Sequence, residues 1–319
     1  MSMNIEKELF DFWNKTAVLK GYKPLNIEEF QAAITRNRHF NQDYLYLYRV
    51  QDEIKGAALA CIGDDDDMPY GRERGYITFI VFDEEYEDDE HIGAALDFLE
   101  NKAKEAGKSR LDLSFFNPMR LSWCMAGLKG HEHNNRPGVL CGSRLQTIMT
   151  NHGYSVVTTE CSMHMDITSY EMPPEMKERE KALREKGITI DYYFEKPVTG
   201  IDEFLDRLNN PLWSIQIPDS LNKKEPVIFV SNKGKAAGFT GPTIREPSGR
   251  GYFLGVAVDE AYRGMGIGTL LFHKLCEGFK KVGVTYVTLF TGKANKALEI
   301  YKKVGFSVEE EFATMKKEL

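Results

Sequence analysis

From residue 188 to the C-terminus, the spacing of apolar positions switches between two periods in a regular order. Residues 188–194, 226–231, 236–240 and 252–258 are short runs rich in β-branched and aromatic side chains, separated by Gly, Asn or Pro, and they predict strands. Asn232-Lys233-Gly234 between two of them predicts a hairpin turn. The period then lengthens. Ile267, Leu270, Leu271, Leu275, Phe279 and Val282 fall on one helical face, and Gly283 stops the helix. A strand follows at 285–290. Ala297, Ile300, Tyr301 and Val304 predict a second helix ending at Gly305, and a final strand begins at Phe306. The order of elements is mixed α/β.

The first half repeats this order faintly. Residues 44–50, 56–62 and 76–82 predict strands, 92–106 a helix, 110–115 a strand and 143–151 a helix closed by Gly153-Tyr154, as Gly305-Phe306 closes the later one. A duplicated architecture is the simplest account. Between the halves, residues 171–187 have a double-proline start, a charged helical body and a glycine stop, which predicts a solvated linker helix. The expected division is therefore 1–170, the linker 171–187, and 188–319.

A chain of 319 residues exceeds the roughly 100–200 residues of a typical single domain, which agrees with two. Net charge is -7 and no dense basic cluster occurs, so a nucleic-acid surface is not expected. No apolar stretch approaches the ~20 residues of a membrane span, so no membrane partner is expected either. The five cysteines are odd in number and contain no C-x-x-C pair, which fits a reducing, cytoplasmic setting. Oligomeric state is not indicated.

The chemistry concentrates where the predicted strand 252–258 meets the predicted helix, in Arg263-Gly264-Met265-Gly266-Ile267-Gly268-Thr269. A helix N-terminus leaves main-chain N–H groups unpartnered and carries partial positive charge. Glycines let that backbone approach a bulky anion, and Arg263 adds a charge-assisted donor. The dinucleotide fingerprint fails on spacing, because Thr269 stands where its third glycine belongs. The Walker A loop fails for want of a lysine before Thr269.

Arg263-Gly264-Met265-Gly266-Ile267-Gly268 resembles the Arg/Gln-x-x-Gly-x-Gly/Ala loop of the GNAT superfamily of N-acetyltransferases, and Tyr301-Lys302-Lys303-Val304-Gly305-Phe306 resembles its second signature. The resemblance implies two tandem GNAT-like domains, each a mostly antiparallel mixed sheet flanked by helices. It implies acetyl-CoA as cosubstrate, its pyrophosphate on Arg263, Gly264, Met265, Gly266, Ile267, Gly268 and Thr269. Its pantetheine would lie along Val256, Ala257 and Val258, where that strand splays from 285–290. Tyr301 is implied as the general acid: a phenol near pKa ~10 can hand a proton to a thiolate near ~8.5. The family's asparagine, seven residues before the tyrosine, is Ala294 here, with Asn295 beside it as the candidate contact. No general base is identified.

The matching loop of the first half, from Asp83 to Gly93, places Glu87 or Asp88 where Arg263 stands, depending on alignment. Carboxylates there would repel a pyrophosphate by ~4 kcal/mol per pair at about 4 Å and an effective dielectric near 20. Met149 occupies the position of Tyr301. The first half is thus expected to be non-catalytic and to shape or cover the substrate site. His131, His133, Cys124 and Cys141 in the long segment 117–140 and beside it fit no zinc spacing, and no metal is expected. Asp64 to Asp67 reads as a turn of solvated acids. The activity implied is N-acetylation of a small amine by direct attack, and the acidic balance favours a cationic one. The competing possibility is a non-catalytic acyl-CoA-binding sensor.

Overall fold

Strands buried on both faces lose simple alternation, and the runs between residues 45 and 82 show this. In the computed structural model, which describes residues 3–63 and 72–319, Leu45–Val50, Glu53–Cys61 and Arg74–Phe82 form an antiparallel meander. Ala57, Leu59 and Cys61 face one cluster with Leu9, Trp13, Phe30 and Phe79. Ala58 and Ala60 face the other, under Ile92, Ala95, Leu96 and Leu99 of the helix Asp89–Glu105. Burying each large aliphatic side chain there stabilises by about 1.5–3 kcal/mol. The acidic run Asp64 to Asp67 lies outside the described residues.

The chain divides into two compact units. Unit 1 is Met1–Ser162 with Phe290–Lys293 and Val308–Leu319; unit 2 is Met163–Leu289 with Ala294–Ser307. In unit 1, Arg74–Phe82 pairs in parallel with Arg110–Leu113. The last strand of the chain, Ser307–Glu318, runs antiparallel to Arg110–Leu113 and to Val139–Leu140. Its Ala313 and Met315 enter the same core as Leu96.

Unit 2 contains an antiparallel four-stranded sheet in the order Gly255–Val258, Lys235–Gly241, Ile228–Asn232, Ile188–Tyr192. Lys233 and Gly234 take left-handed backbone between two of these strands, as a two-residue hairpin turn requires. The single strand expected at 252–258 is broken. Arg250–Tyr252 pairs in parallel with Tyr286–Gly292, whereas Gly255–Val258 joins the four-stranded sheet. At the break, Phe253 packs edge-on against Phe272 and Leu254 N donates to Gly241 O at 2.8 Å. Main-chain bonding and one anchored ring turn the chain from one sheet into the other.

The helices Ile267–Lys281 and Ala297–Val304 form as their apolar spacing predicts, within a residue at each end for the first. Two more helices, Ile201–Leu208 and Pro211–Asn222, cover the four-stranded sheet through Phe204, Leu205 and Ile217. A helix Pro174–Glu185 runs through the charged segment 171–187. Its buried Met176 and Leu183, seven residues apart, share a face, and Glu180 meets Lys274 of the helix Ile267–Lys281 at 3.3 Å.

Candidate functional site

Gly255–Val258 is the end strand of its sheet. It pairs with Lys235–Gly241 in the register Gly238↔Val258, Phe239↔Ala257, Thr240↔Val256. Asp259 N donates to Ala237 O at 2.9 Å in the same register. Antiparallel ladders alternate, so the main chains of Gly255, Ala257 and Asp259 turn inward and those of Val256 and Val258 turn to the open edge. The three strand residues singled out in the sequence are therefore not equivalent. Val256 and Val258 can pair with an extended ligand, while Ala257 adds its side chain to the core around Phe239.

Beyond the strand, Asp259 accepts from Ala261 N at 3.1 Å and starts a single 3-10 turn, Glu260–Tyr262. Arg207 clamps the Asp259 carboxylate at 2.7 Å. Partial burial pushes that carboxyl upward, but the Ala261 amide and Arg207 outweigh it and hold it below the ordinary range. Asp259 is thus tied into the loop's architecture. Tyr262 is tied too, its hydroxyl accepting from Asn232 Nδ2 at 2.9 Å.

Gly264 and Gly266 both adopt positive φ, +81° and +72°. Gly266 is the N-cap of the helix Ile267–Lys281 and supplies no side-chain cap. The first intrahelical bond is Leu270 N to Gly266 O, at 3.2 Å. The amides of Ile267, Gly268 and Thr269 precede it and have no intrahelical acceptor. Gly268 fits between neighbours, since a β-carbon there would touch Ile300 Cδ1 at 3.8 Å and Val258 Cγ2 at 3.9 Å. Met265 is half-buried, and Arg263 is 65% exposed with Glu260 at 3.5 Å.

A second cation stands at this turn that the sequence did not single out. Arg179, from the helix Pro174–Glu185, places Nη1 only 2.2 Å from where a β-carbon on Gly266 would sit. The one signal for it was its place in a charged run, which by itself means solvated surface.

The Tyr301 ring packs on Phe272, centroids 4.9 Å apart, and on Phe306 at 6.3 Å. Phe272 is one turn beyond Gly268, about 6 Å of helix rise. Burial raises the Tyr301 phenol above its ordinary value, so it stays protonated throughout the neutral range. Its hydroxyl bonds to no other described residue. Asn295 is exposed and its Oδ1 accepts from Ala297 N at 3.0 Å, which starts the tyrosine-bearing helix.

In unit 1 the corresponding helix, Asp89–Glu105, has an acidic start. Asp88 is its N-cap, accepting from His91 N at 2.9 Å, and Asp89 and Glu90 fill the first turn. The His91 amide and ring hold the Asp88 carboxyl low, so the cap stays charged. Glu87 bonds to Lys20. Among the described residues no group of three or more His, Cys, Asp or Glu side chains could hold a metal ion, and no helix is long and apolar enough to cross a membrane.

Residues 190–306 match the profile of the family described as the acetyltransferase (GNAT) family. A stretch of 56 residues is 46% identical to an uncharacterized N-acetyltransferase of Methanocaldococcus jannaschii, covering 17% of this chain and 25% of that one. The match thus spans a quarter of that curated relative's length. Among solved structures, a GCN5-related N-acetyltransferase from Sphaerobacter thermophilus is similar at TM-score 0.61 and 14% identity, covering 98% of this chain and 91% of that one. The tandem GNAT protein of the clavulanic acid biosynthesis pathway is similar at TM-score 0.59 and 11% identity, over 98% and 94%. A GCN5-related glucosamine N-acetyltransferase region of a fungal multi-domain β-N-acetylglucosaminidase gives TM-score 0.66 and 15% identity, over 98% of this chain but 37% of that one. At such identities the likeness is one of fold, and it extends over both units.

Proposed function

Because residues 190–306 match the acetyltransferase (GNAT) family, we propose that the chain moves the acetyl group of acetyl-CoA to the amine of a small molecule by direct attack. The family match supports acyl transfer to an amine; the cosubstrate, the acceptor and the residue roles are our reading. The observation that carries it is the turn at Gly266, where an uncapped helix start adjoins a strand with an open edge. Backbone without side chains at Gly264 and Gly266 fits a diphosphate, and the outward main chains of Val256 and Val258 fit the amides of pantetheine.

Acetyl-CoA, when bound, supplies the thioester carbonyl that the amine attacks and a thiolate leaving group. The amides of Ile267, Gly268 and Thr269 hold its diphosphate, with Arg263 and Met265 flanking and Asn295 as a further contact. Val256 and Val258 orient its extended arm. Tyr301 gives its phenolic proton to the departing sulfur, the amine nitrogen releases a proton to solvent as the amide forms, and solvent returns one to the phenolate. Residues 1–170 serve as a non-catalytic partner, since the helix start at Asp88 presents carboxylates where an anion would have to sit.

The net charge of -7 favours a cationic acceptor by electrostatic steering. Purified protein should release free thiol from acetyl-CoA when a broad panel of amines is present. Tyr301→Phe should lower turnover about 100-fold, within the range of one general acid, and leave CoA affinity near normal. Thiol release that stays silent across the panel while CoA still binds would favour the sensor over the enzyme. Undiminished turnover in the Phe variant would remove Tyr301 from the reaction.

A further inference from the structure

We propose that Arg179, on the helix that enters unit 2, is a ligand for the diphosphate of the acyl-CoA, acting together with the amides at Gly266. This rests on the reading of that turn as the diphosphate site.

The guanidinium lies against the Cα of Gly266, its Nη1 2.2 Å and its Cζ 2.9 Å from the position of an absent β-carbon. Any side chain at 266 would displace it. Arg179 forms no hydrogen bond or ion pair with another described residue, although carboxylates are plentiful on its own helix. A cation set beside the positive end of a helix is unfavourable in isolation, because both partial charges have the same sign. The arrangement gains its balance when an anion bridges the two. A diphosphate carries paired oxygens for a planar guanidinium fork and further oxygens for main-chain N–H groups.

The helix is positioned by other groups. Met176 and Leu183 are buried, and Glu180 bridges to Lys274 at 3.3 Å. Removing Arg179 therefore leaves the anchoring of the helix in place. Its neighbour Lys177, also exposed, provides a control for bulk charge.

The test is calorimetric titration of the full chain with CoA and with dephospho-CoA, which lacks the 3′-phosphate but keeps the diphosphate. Arg179→Ala should weaken both ligands about 10- to 50-fold, the range of a lost charge-assisted bond. Arg179→Lys should recover part of the loss, as a point charge replaces a fork. Lys177→Ala should change neither by more than about twofold, the scale of an exposed, screened charge. Three results would each overturn the assignment: Arg179→Ala binding both ligands like the wild type, Lys177→Ala losing as much as Arg179→Ala, or a loss seen with CoA and absent with dephospho-CoA. Should the wild type bind neither ligand, the diphosphate reading of the turn fails first and this inference with it. In the absence of ligand the Arg179→Ala variant should melt no lower than the wild type, since a cation is removed from the positive end of a helix.

Discussion

Two glycines separated by one residue set the geometry of the loop, and they differ in what surrounds them. A β-carbon on Gly264 would meet nothing within 4 Å, whereas one on Gly266 would strike the Arg179 guanidinium, the end of a flexible chain. In both cases the backbone itself is the obstacle, since a left-handed φ costs an ordinary L-residue about 1 kcal/mol or more. Gly264→Ala and Gly266→Ala should therefore each lower the stability of unit 2 by about 1 kcal/mol, read as a shift in urea midpoint. A midpoint unchanged in both would mean that the loop does not hold the conformation described. These glycines were legible because only a few loop types combine them with a following helical period. Arg179, Arg207 and Asn232 were not: each acts on the loop from a distant part of the chain, and no spacing rule connects them to it. The sequence also treated Val256, Ala257 and Val258 alike, because which main chain faces an open edge depends on the neighbouring strand's register.

Helices announced themselves better than strands. The loop helix shows its apolar stripe over four turns, whereas the run 252–258 hides a change of sheet at Phe253-Leu254 that leaves hydrophobicity unaltered. Ile201–Leu208 carries Ile201, Phe204, Leu205 and Leu208 at helical spacing, a signal that was available but short. Pro218 inside Pro211–Asn222 masks the next helix, since an interior proline ordinarily argues against one. The loop helix also contains a buried titratable group. His273 Nδ1 lies 2.6 Å from Tyr170 Oη, and burial holds its pKa below the ordinary value, with Arg179 adding to the effect and Glu175 opposing it. The unfolded chain then binds more protons than the folded one as pH falls through about 6.5, so this group's contribution to stability falls with it. Urea midpoints measured from pH 7.5 to 5.5 should decline more steeply in the wild type than in His273→Gln, which keeps an acceptor for Tyr170. Parallel declines would show that His273 takes up its proton without resisting it.

At the scale of the whole chain, composition marks where the sequence changes character but not which strands pair. The fold class and the repeated order of elements were legible because each half carries its own periodicities. The partners of Ser307–Glu318 were not, for a pairing with Arg110–Leu113 closes a loop of about 200 residues, and no local pattern records such a contact. Within unit 1 that strand is held by more than its ladder. Phe312 packs edge-on against Trp123 at 4.9 Å, and Lys317 Nζ meets Glu100 Oε2 at 2.6 Å beneath the Tyr154 ring. Glu100 is 5% exposed, so its charge depends on that ammonium. Removing one member of a buried pair leaves the other uncompensated and costs more than the pair contributes. Lys317→Met should therefore destabilise unit 1 by about 2–4 kcal/mol, somewhat under the fully buried case because the lysine is partly solvated. Glu100→Gln on the same background should restore much of that loss, since no bare carboxylate remains to be buried. A double-mutant cycle on the unfolding of unit 1 measures the coupling, and additive effects would show that the last strand is held by its ladder and apolar side chains alone.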